Sequence, residues 1–188
     1  MDLILLEPGD PDLIPATGDE ADAGLIAPQW HMDRLKLGRC IKLVSLHQGM
    51  LQKIAISTEQ DHASAAKTRP IITEMTCVKY VDKNSVTLYE YCLRAQVLGK
   101  GKEHPTRLYI ARNSGENITN ILTLSLRDAL ISEIQSQSHP NDMPTEQFKL
   151  NFTEILCTSS ILQGDIETVG KLTHGWSFIH NRAITQFS

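Results

Sequence analysis

Between residues 118 and 135 the apolar side chains keep one parity. Ile118, Leu122, Leu124, Leu126, Leu130 and Ile134 fall on even positions, while Thr119, Thr123, Ser125, Arg127 and Glu133 fall on odd ones. A repeat of two belongs to a β-strand with one face on a core; on a helix Leu122, Leu124 and Leu126 would point in different directions. At about 3.3 Å per residue the stretch is either one strand of roughly 55 Å or two strands sharing a bend. Strands of such length curl, so the chain is expected to form a barrel or a two-sheet sandwich. Asp128 sits on the apolar parity. A buried carboxylate needs a partner, so a salt bridge or a bulge turning it outward is favoured over a catalytic acid.

The rest of the chain fits a mainly β fold with one helix. Asp2 to Leu6 reads as a short strand ended by Pro8-Gly9-Asp10-Pro11, a strong turn signal. Residues 12–35 are irregular and acidic, punctuated by Pro15, Gly18, Gly24 and Pro28, and read as a long surface loop; the insertion spans about 8–38. Arg39 to Gln48 is a strand with two mixed faces, Ile41, Leu43, Ser45 and His47 against Lys42, Val44, Leu46 and Gln48. An extended arm is expected at about 53–70, with Ile54 and Ile56 beside Ser57 and Thr58. Ile71, Met75 and Cys77 alternate with Glu74 and Thr76 up to Lys79. Asn84 or Ser85 then caps the one good helix, whose stripe is Leu88, Cys92 and Ala95 with Tyr89 and Leu93 beside it. Gly99-Lys100-Gly101 is expected to end it. Further strands run over Thr106–Arg112 and 118–135. Then comes a strand through Phe148, Leu150 and Phe152 that slips phase at Glu154, where a bulge is expected. The last strand is His174–His180 with Trp176 and Phe178 on one face. The tally is about seven strands in a single domain, 1–188.

Composition removes several functions. The net charge of −4 argues against a nucleic-acid partner, since phosphate binding needs a basic surface. No run of 18 apolar residues is present, so no membrane insertion is expected, and the first eight residues lack the basic leader of a cleaved signal peptide. Cys40, Cys77, Cys92 and Cys157 match no zinc spacing and sit in apolar-periodic segments, as free thiols made in a reducing cytoplasm would. Gly99-Lys100-Gly101-Lys102 lacks phosphate-loop spacing, no G-x-S-x-G elbow occurs, and no two of the seven histidines lie at i, i+2 or i, i+4. No enzyme, cofactor or metal site is expected.

Six segments in order carry a resemblance. Ile41-Lys42-Leu43-Val44-Ser45-Leu46-His47-Gln48-Gly49 resembles the second strand of the haemolysin-coregulated protein (Hcp) family of type VI secretion. Thr76-Cys77-Val78-Lys79-Tyr80-Val81-Asp82-Lys83-Asn84-Ser85 resembles the segment before that family's single helix, and Leu108 to Glu116 its following hairpin. Leu122 to Ser132, Glu146 to Phe152 and His174-Gly175-Trp176-Ser177 resemble its later strands, with Asn181-Arg182 after the last. Two departures stand out: Pro8 to Leu35 replaces a short turn, and Leu46 and His47 stand where a tryptophan or similar residue is usual.

The resemblance implies a β-barrel of two packed antiparallel sheets with one flanking α-helix. It implies a homohexameric ring that stacks into a hollow tube inside a contractile sheath, capped by a trimeric spike protein (VgrG), with small effector proteins held in the lumen. The protein would start in the bacterial cytoplasm and leave through the type VI system. Lys42, Leu46, His47, Ile54, Ile56, His62 and Trp176 are the candidate subunit-interface or lumen residues, with a packed strand histidine as the alternative for His47. The rival function is a small-ligand or carbohydrate-binding β-barrel without tube assembly.

Overall fold

A computed structural model describes residues 2–14, 40–52, 69–113, 118–160 and 171–188. The strands are β1 (Asp2–Glu7), β2 (Ile41–Leu43), β3 (Ser45–His47), β4 (Met50–Leu51), β5 (Ile71–Ile72) and β6 (Met75–Tyr80). The helix α1 (Ser85–Leu93) follows, then β7 (Thr106–Asn113), β8 (Ile118–Arg127), β9 (Leu130–Gln137), β10 (Thr145–Asn151), β11 (Glu154–Ser160), β12 (Lys171–Ser177) and β13 (Arg182–Ile184). A seven-stranded sheet has the order β13-β12-β11-β8-β7-β1-β2, a four-stranded sheet the order β3-β6-β10-β9, and β4 with β5 forms a separate ribbon. All pairings among these strands are antiparallel. Among the described strands none closes the sheets into a continuous barrel; the two-sheet form of the expectation is the one found.

Corners explain how so few segments supply two sheets. The long alternating stretch is two strands: β8 belongs to the large sheet, β9 to the small one, and the chain turns between them at Asp128 and Ala129. Asp128 takes a φ of +51°, which a short polar side chain tolerates better than a branched one. Its carboxylate turns outward, accepts from Thr153 Oγ1 at 2.9 Å and lies 3.5 Å from Arg127 Nε. The expected salt bridge is thus found, while the outward turn comes from a corner between the sheets rather than from a bulge. Ile41–Leu43 and Ser45–His47 make a second corner at Val44, whose N–H donates to Val78 O at 2.7 Å. The phase slip before Glu154 is a third corner rather than a bulge: β10 lies in the small sheet and β11 in the large one. There Phe152 meets Phe178 edge-on, ring centroids 6.0 Å apart. Strands that change sheets at bends are a known way to turn the corners of a sandwich.

Parity changes with the sheet. Leu124 and Leu126 are buried from β8, but Ala129 and Ile131 after it, so the parity changes at the Asp128 corner; the β9–β10 register then skips Ser132, between Lys149↔Glu133 and Leu150↔Ile131, and Ile134 packs against the core again on even parity. The core draws Leu6, Ile41, Leu43, Leu108, Leu124 and Leu126 from the large sheet, Met75, Cys77, Phe148 and Leu150 from the small one, and Leu88 and Tyr91 from the helix.

The helix is shorter and rotated relative to its expected stripe. Ser85, Leu88 and Tyr91 are its buried residues, whereas Leu93 is 86% exposed. It ends at Arg94 and the positive-φ Ala95, well before Gly99. Neither Asn84 nor Ser85 supplies a side-chain cap of the expected kind; Asp82 Oδ1 instead accepts from Asn84 N–H at 2.8 Å. The closing strand is also different: β12 stops at Ser177 and β13 adds a further edge strand.

Candidate functional site

The surfaces available for assembly are strand edges and apolar patches. Lys42 is exposed between buried Ile41 and Leu43 on β2, the last strand of the large sheet. His47 is exposed at the end of β3, an edge of the small sheet, opposite Thr76. These two sit on successive edge strands around one corner. Leu46, opposite Cys77, is partly buried and packs against the core. Trp176 lies across from Ile155 near the other end of the large sheet, also half-buried against the core. Ile54, Ile56 and His62 lie outside the described residues. The described neighbours of that arm form its base, the β4–β5 ribbon, with Met50↔Ile72 and Leu51↔Ile71 in register.

Two polar clusters escaped the sequence argument, and both hold the helix side of the molecule. Lys79 and Glu146 are 1% and 0% exposed, with Nζ and Oε1 2.7 Å apart. The ammonium also donates to Asp82 Oδ1 at 2.9 Å, Tyr80 O at 2.8 Å and Ser85 Oγ at 3.2 Å, and Ser85 Oγ donates to Glu146 at 2.8 Å. This joins β6, β10 and the first turn of α1. The signal was present: Lys79 shares parity with Met75 and Cys77, as Glu146 does with Phe148 and Leu150. In the second cluster Asp10 accepts from Tyr91 OH at 3.1 Å and meets Lys100 Nζ at 3.1 Å. Burial pulls the Asp10 carboxyl upward, but the Asp12 N–H, Lys100 and Tyr91 together hold it below its ordinary value. Burial and then the Asp10 charge push the Tyr91 hydroxyl up to about 12, so it stays a donor.

A third buried carboxylate ties the end of the described chain to the large sheet. Glu154 Oε2 takes Arg127 Nη1 at 3.2 Å and the Ser188 N–H at 3.0 Å. Burial raises its pKa, but hydrogen bonds from Ser188, Ser177 and Arg127 outweigh that and hold it at about 2, against 4.5 ordinarily. A depressed carboxylate contributes stability that is complete above pH 4.5 and is lost as pH falls toward 2. Glu154→Gln should therefore flatten the acid limb of the stability curve over that window, measured by urea unfolding at several pH values; an unchanged slope would exclude Glu154 as its source.

All four cysteines are free, and burial pushes the Cys40 and Cys77 thiols well up, as inert core thiols require. Among the described residues no group of three or more His, Cys, Asp and Glu side chains is placed to hold a metal ion. A cleft of about 330 Å³ lies at the β12–β13 end, lined by His174, Arg182, Ile184 and Phe187 among others. Its lining residues His174 and Arg182 are both exposed, which makes it a surface depression rather than an enclosed ligand site.

Comparison with known proteins agrees with this geometry. Residues 37–158 match the family model of the type VI secretion system effector Hcp. Over 113 residues the chain is 26% identical to Protein hcp1 of Pseudomonas aeruginosa; the alignment spans 58% of this chain and 66% of that relative's length. A solved type six secretion system protein superposes with a TM-score of 0.72 at 14% identity, covering 98% of this chain and 100% of its own. Hcp1 from Salmonella typhimurium superposes with a TM-score of 0.63 at 18% identity, covering 97% and 99%.

Proposed function

Since the chain belongs to the Hcp family of type VI secretion, we propose that it is a structural subunit of the secretion tube, one that closes with five copies of itself into a ring. The observation that carries this is the pair of unlike edges on the large sheet. β2 ends it on one side and β13 on the other. A ring of one subunit type needs such a heterologous contact, in which one surface meets a different one on the neighbour. Joining those surfaces also covers strands that otherwise template aggregation. Stacked rings would enclose a lumen for small effector proteins, within a contractile sheath and beneath a trimeric spike such as VgrG, and would leave the bacterial cytoplasm with them. We take residues 1–188 as one domain in this role. The arm at about 53–70, with Ile54, Ile56 and His62, would reach a neighbouring subunit from the β4–β5 ribbon.

Light scattering behind size exclusion, followed by negative-stain imaging, tests the proposal. Six copies of 21.0 kDa give a ring of roughly 126 kDa with a central hole. A species near 21.0 kDa, one copy, would overturn ring formation by the chain alone and favour the binding-protein alternative.

The two edge residues and the partly buried one should separate in the same assay. Lys42→Glu or His47→Glu should weaken the ring while leaving the thermal midpoint unchanged, because both side chains are exposed. Leu46→Asp should lose about 2 kcal/mol of stability as well, since it carries a charge toward the core it packs on. A Lys42→Glu ring as strong as the parent would remove the β2 edge from the interface.

A further inference from the structure

We infer that residues 15–39 pack as a third layer on the outer face of the large sheet, over β1 and β7, and that this layer, not the strands beneath it, is the surface any partner meets there. The inference stands apart from the tube proposal, because it concerns a single subunit. Leu3, Leu5, Cys40 and Ala111 form a second apolar cluster, each 0–6% exposed. They lie on the face away from the main core. On β1, Leu3 and Leu5 alternate with Ile4 and Leu6, which pack into that core. Leu3 pairs with Ala111 and Leu5 with Tyr109 on β7, and Cys40 precedes Ile41, the partner of Leu6 on β2.

Such burial needs a cover that the described residues do not supply. Among them, Tyr109 is the hydrophobic side chain packed on the cluster, and it is only partly buried. Lys42, across from Leu5 on the other side, is exposed. One ring and one exposed lysine do not bring four neighbouring side chains so near to zero exposure. The burial is reached within one subunit, so a second copy is not the cover; a segment of the same chain is.

Connectivity selects the segment. β1 and β2 are antiparallel neighbours with Leu6 against Ile41, so a hairpin turn of a few residues would join them. Instead the connection runs from Pro8 to Cys40. It sets out from the main core, where Leu13 and Ile14 are buried, and returns at Cys40 inside the second cluster. Its composition divides the same way. Asp19, Glu20 and Asp22 come first, whereas Leu25, Ile26, Trp30, Met32, Leu35 and Leu37 crowd the half that runs into Cys40, and apolar area of that kind gains from burial. The other connections are placed less well. Residues 161–170 join β11 to β12, and β11 lies three strands from β1, roughly 14 Å at sheet spacing. Residues 53–68 leave from the β4–β5 ribbon, outside the large sheet, and 114–117 join β7 directly to β8.

Cys40 and Cys77 report on the two layers separately, since Cys77 is buried in the main core. The native full chain is treated with N-ethylmaleimide, and the labelling rate of each cysteine is read by peptide mass spectrometry. Both should label slowly in the parent. In Trp30→Ser/Leu35→Ser, Cys40 should label roughly tenfold faster or more while Cys77 keeps the parent's rate, because the layer opens locally and the main core does not. The matching change in the other connection, Ile166→Ser/Val169→Ser, should leave both rates as in the parent. Parent Cys40 labelling as fast as in urea overturns the inference, because the face is then uncovered. A Trp30→Ser/Leu35→Ser rate equal to the parent's, or a larger effect from Ile166→Ser/Val169→Ser, overturns it by giving the cover to another segment. A joint rise at Cys40 and Cys77 overturns it as well, since the cluster would then be no layer of its own.

Discussion

Lys79→Met is expected to lower stability by about 3–5 kcal/mol, because it leaves a buried carboxylate without its counter-charge. Glu146 is 0% exposed and reaches no solvent. Without the ammonium it keeps only the Ser85 hydroxyl at 2.8 Å on Oε1, and its Oε2 finds no hydrogen-bond partner among the described residues. Asp82 and the Tyr80 carbonyl lose the ammonium at the same time, and the link from β6 to the first turn of α1 is left to the backbone bonds around Asp82 and Ser85. Removing both charges is a different experiment. In Lys79→Met/Glu146→Leu no charge is left to desolvate, and much of the loss should be recovered, since a buried pair is often no better than a well-packed apolar one. Urea unfolding of the parent, both singles and the double gives the coupling directly. A single-variant loss below about 1 kcal/mol would mean that the pair is solvated and not the clamp described.

Gly9→Ala is expected to cost about 3 kcal/mol, from overlap with backbone that has no means of rotating away. An added Cβ would stand 1.9 Å from the carbonyl oxygen of His104 and 2.9 Å from the Cα of Gly99. To make room, the end of β1 must leave the 99–104 turn, which strains the Asp10 N–H bond to Leu98 O at 2.8 Å and the Asp10–Lys100 contact. Gly101→Ala is the control. Its φ of +67° disfavours a side chain, but nothing lies within 4 Å, so only the backbone cost of about 1 kcal/mol is expected. Equal losses at the two positions, measured by thermal or urea unfolding, would show that crowding is not what selects glycine at position 9.

Strand and helix identity were legible because periodicity is local. Leu122, Leu124 and Leu126 specify a strand whatever surrounds them, and Leu88, Cys92 and Ala95 specify a helix whose exact buried face then depends on neighbours. That dependence is why Leu93 belongs to the expected stripe and yet lies 86% exposed. The corners were harder, since a strand that leaves one sheet for another keeps its alternation on both sides; Asp128 on an apolar parity marked one of them and the phase slip at Glu154 another, and neither reads as a change of sheet. Of the candidate interface residues, Lys42 and His47 lie on edges, whereas Leu46 and Trp176 lean on the core, a distinction the mixed faces of their strands do not contain. Lys79 stayed hidden because a lysine at a strand end reads as solvated until Glu146, 67 residues away, is brought beside it.

Local order of strands and helix, the absence of recognisable catalytic spacings, and the six-segment Hcp resemblance are properties of the sequence alone, because each depends on residues near one another in the chain. Tertiary structure alone decided which strands share a sheet, which are edges, why Gly9 must be glycine, and which charges are buried, because each depends on what long-range packing places within a few ångströms and on how much water that packing removes.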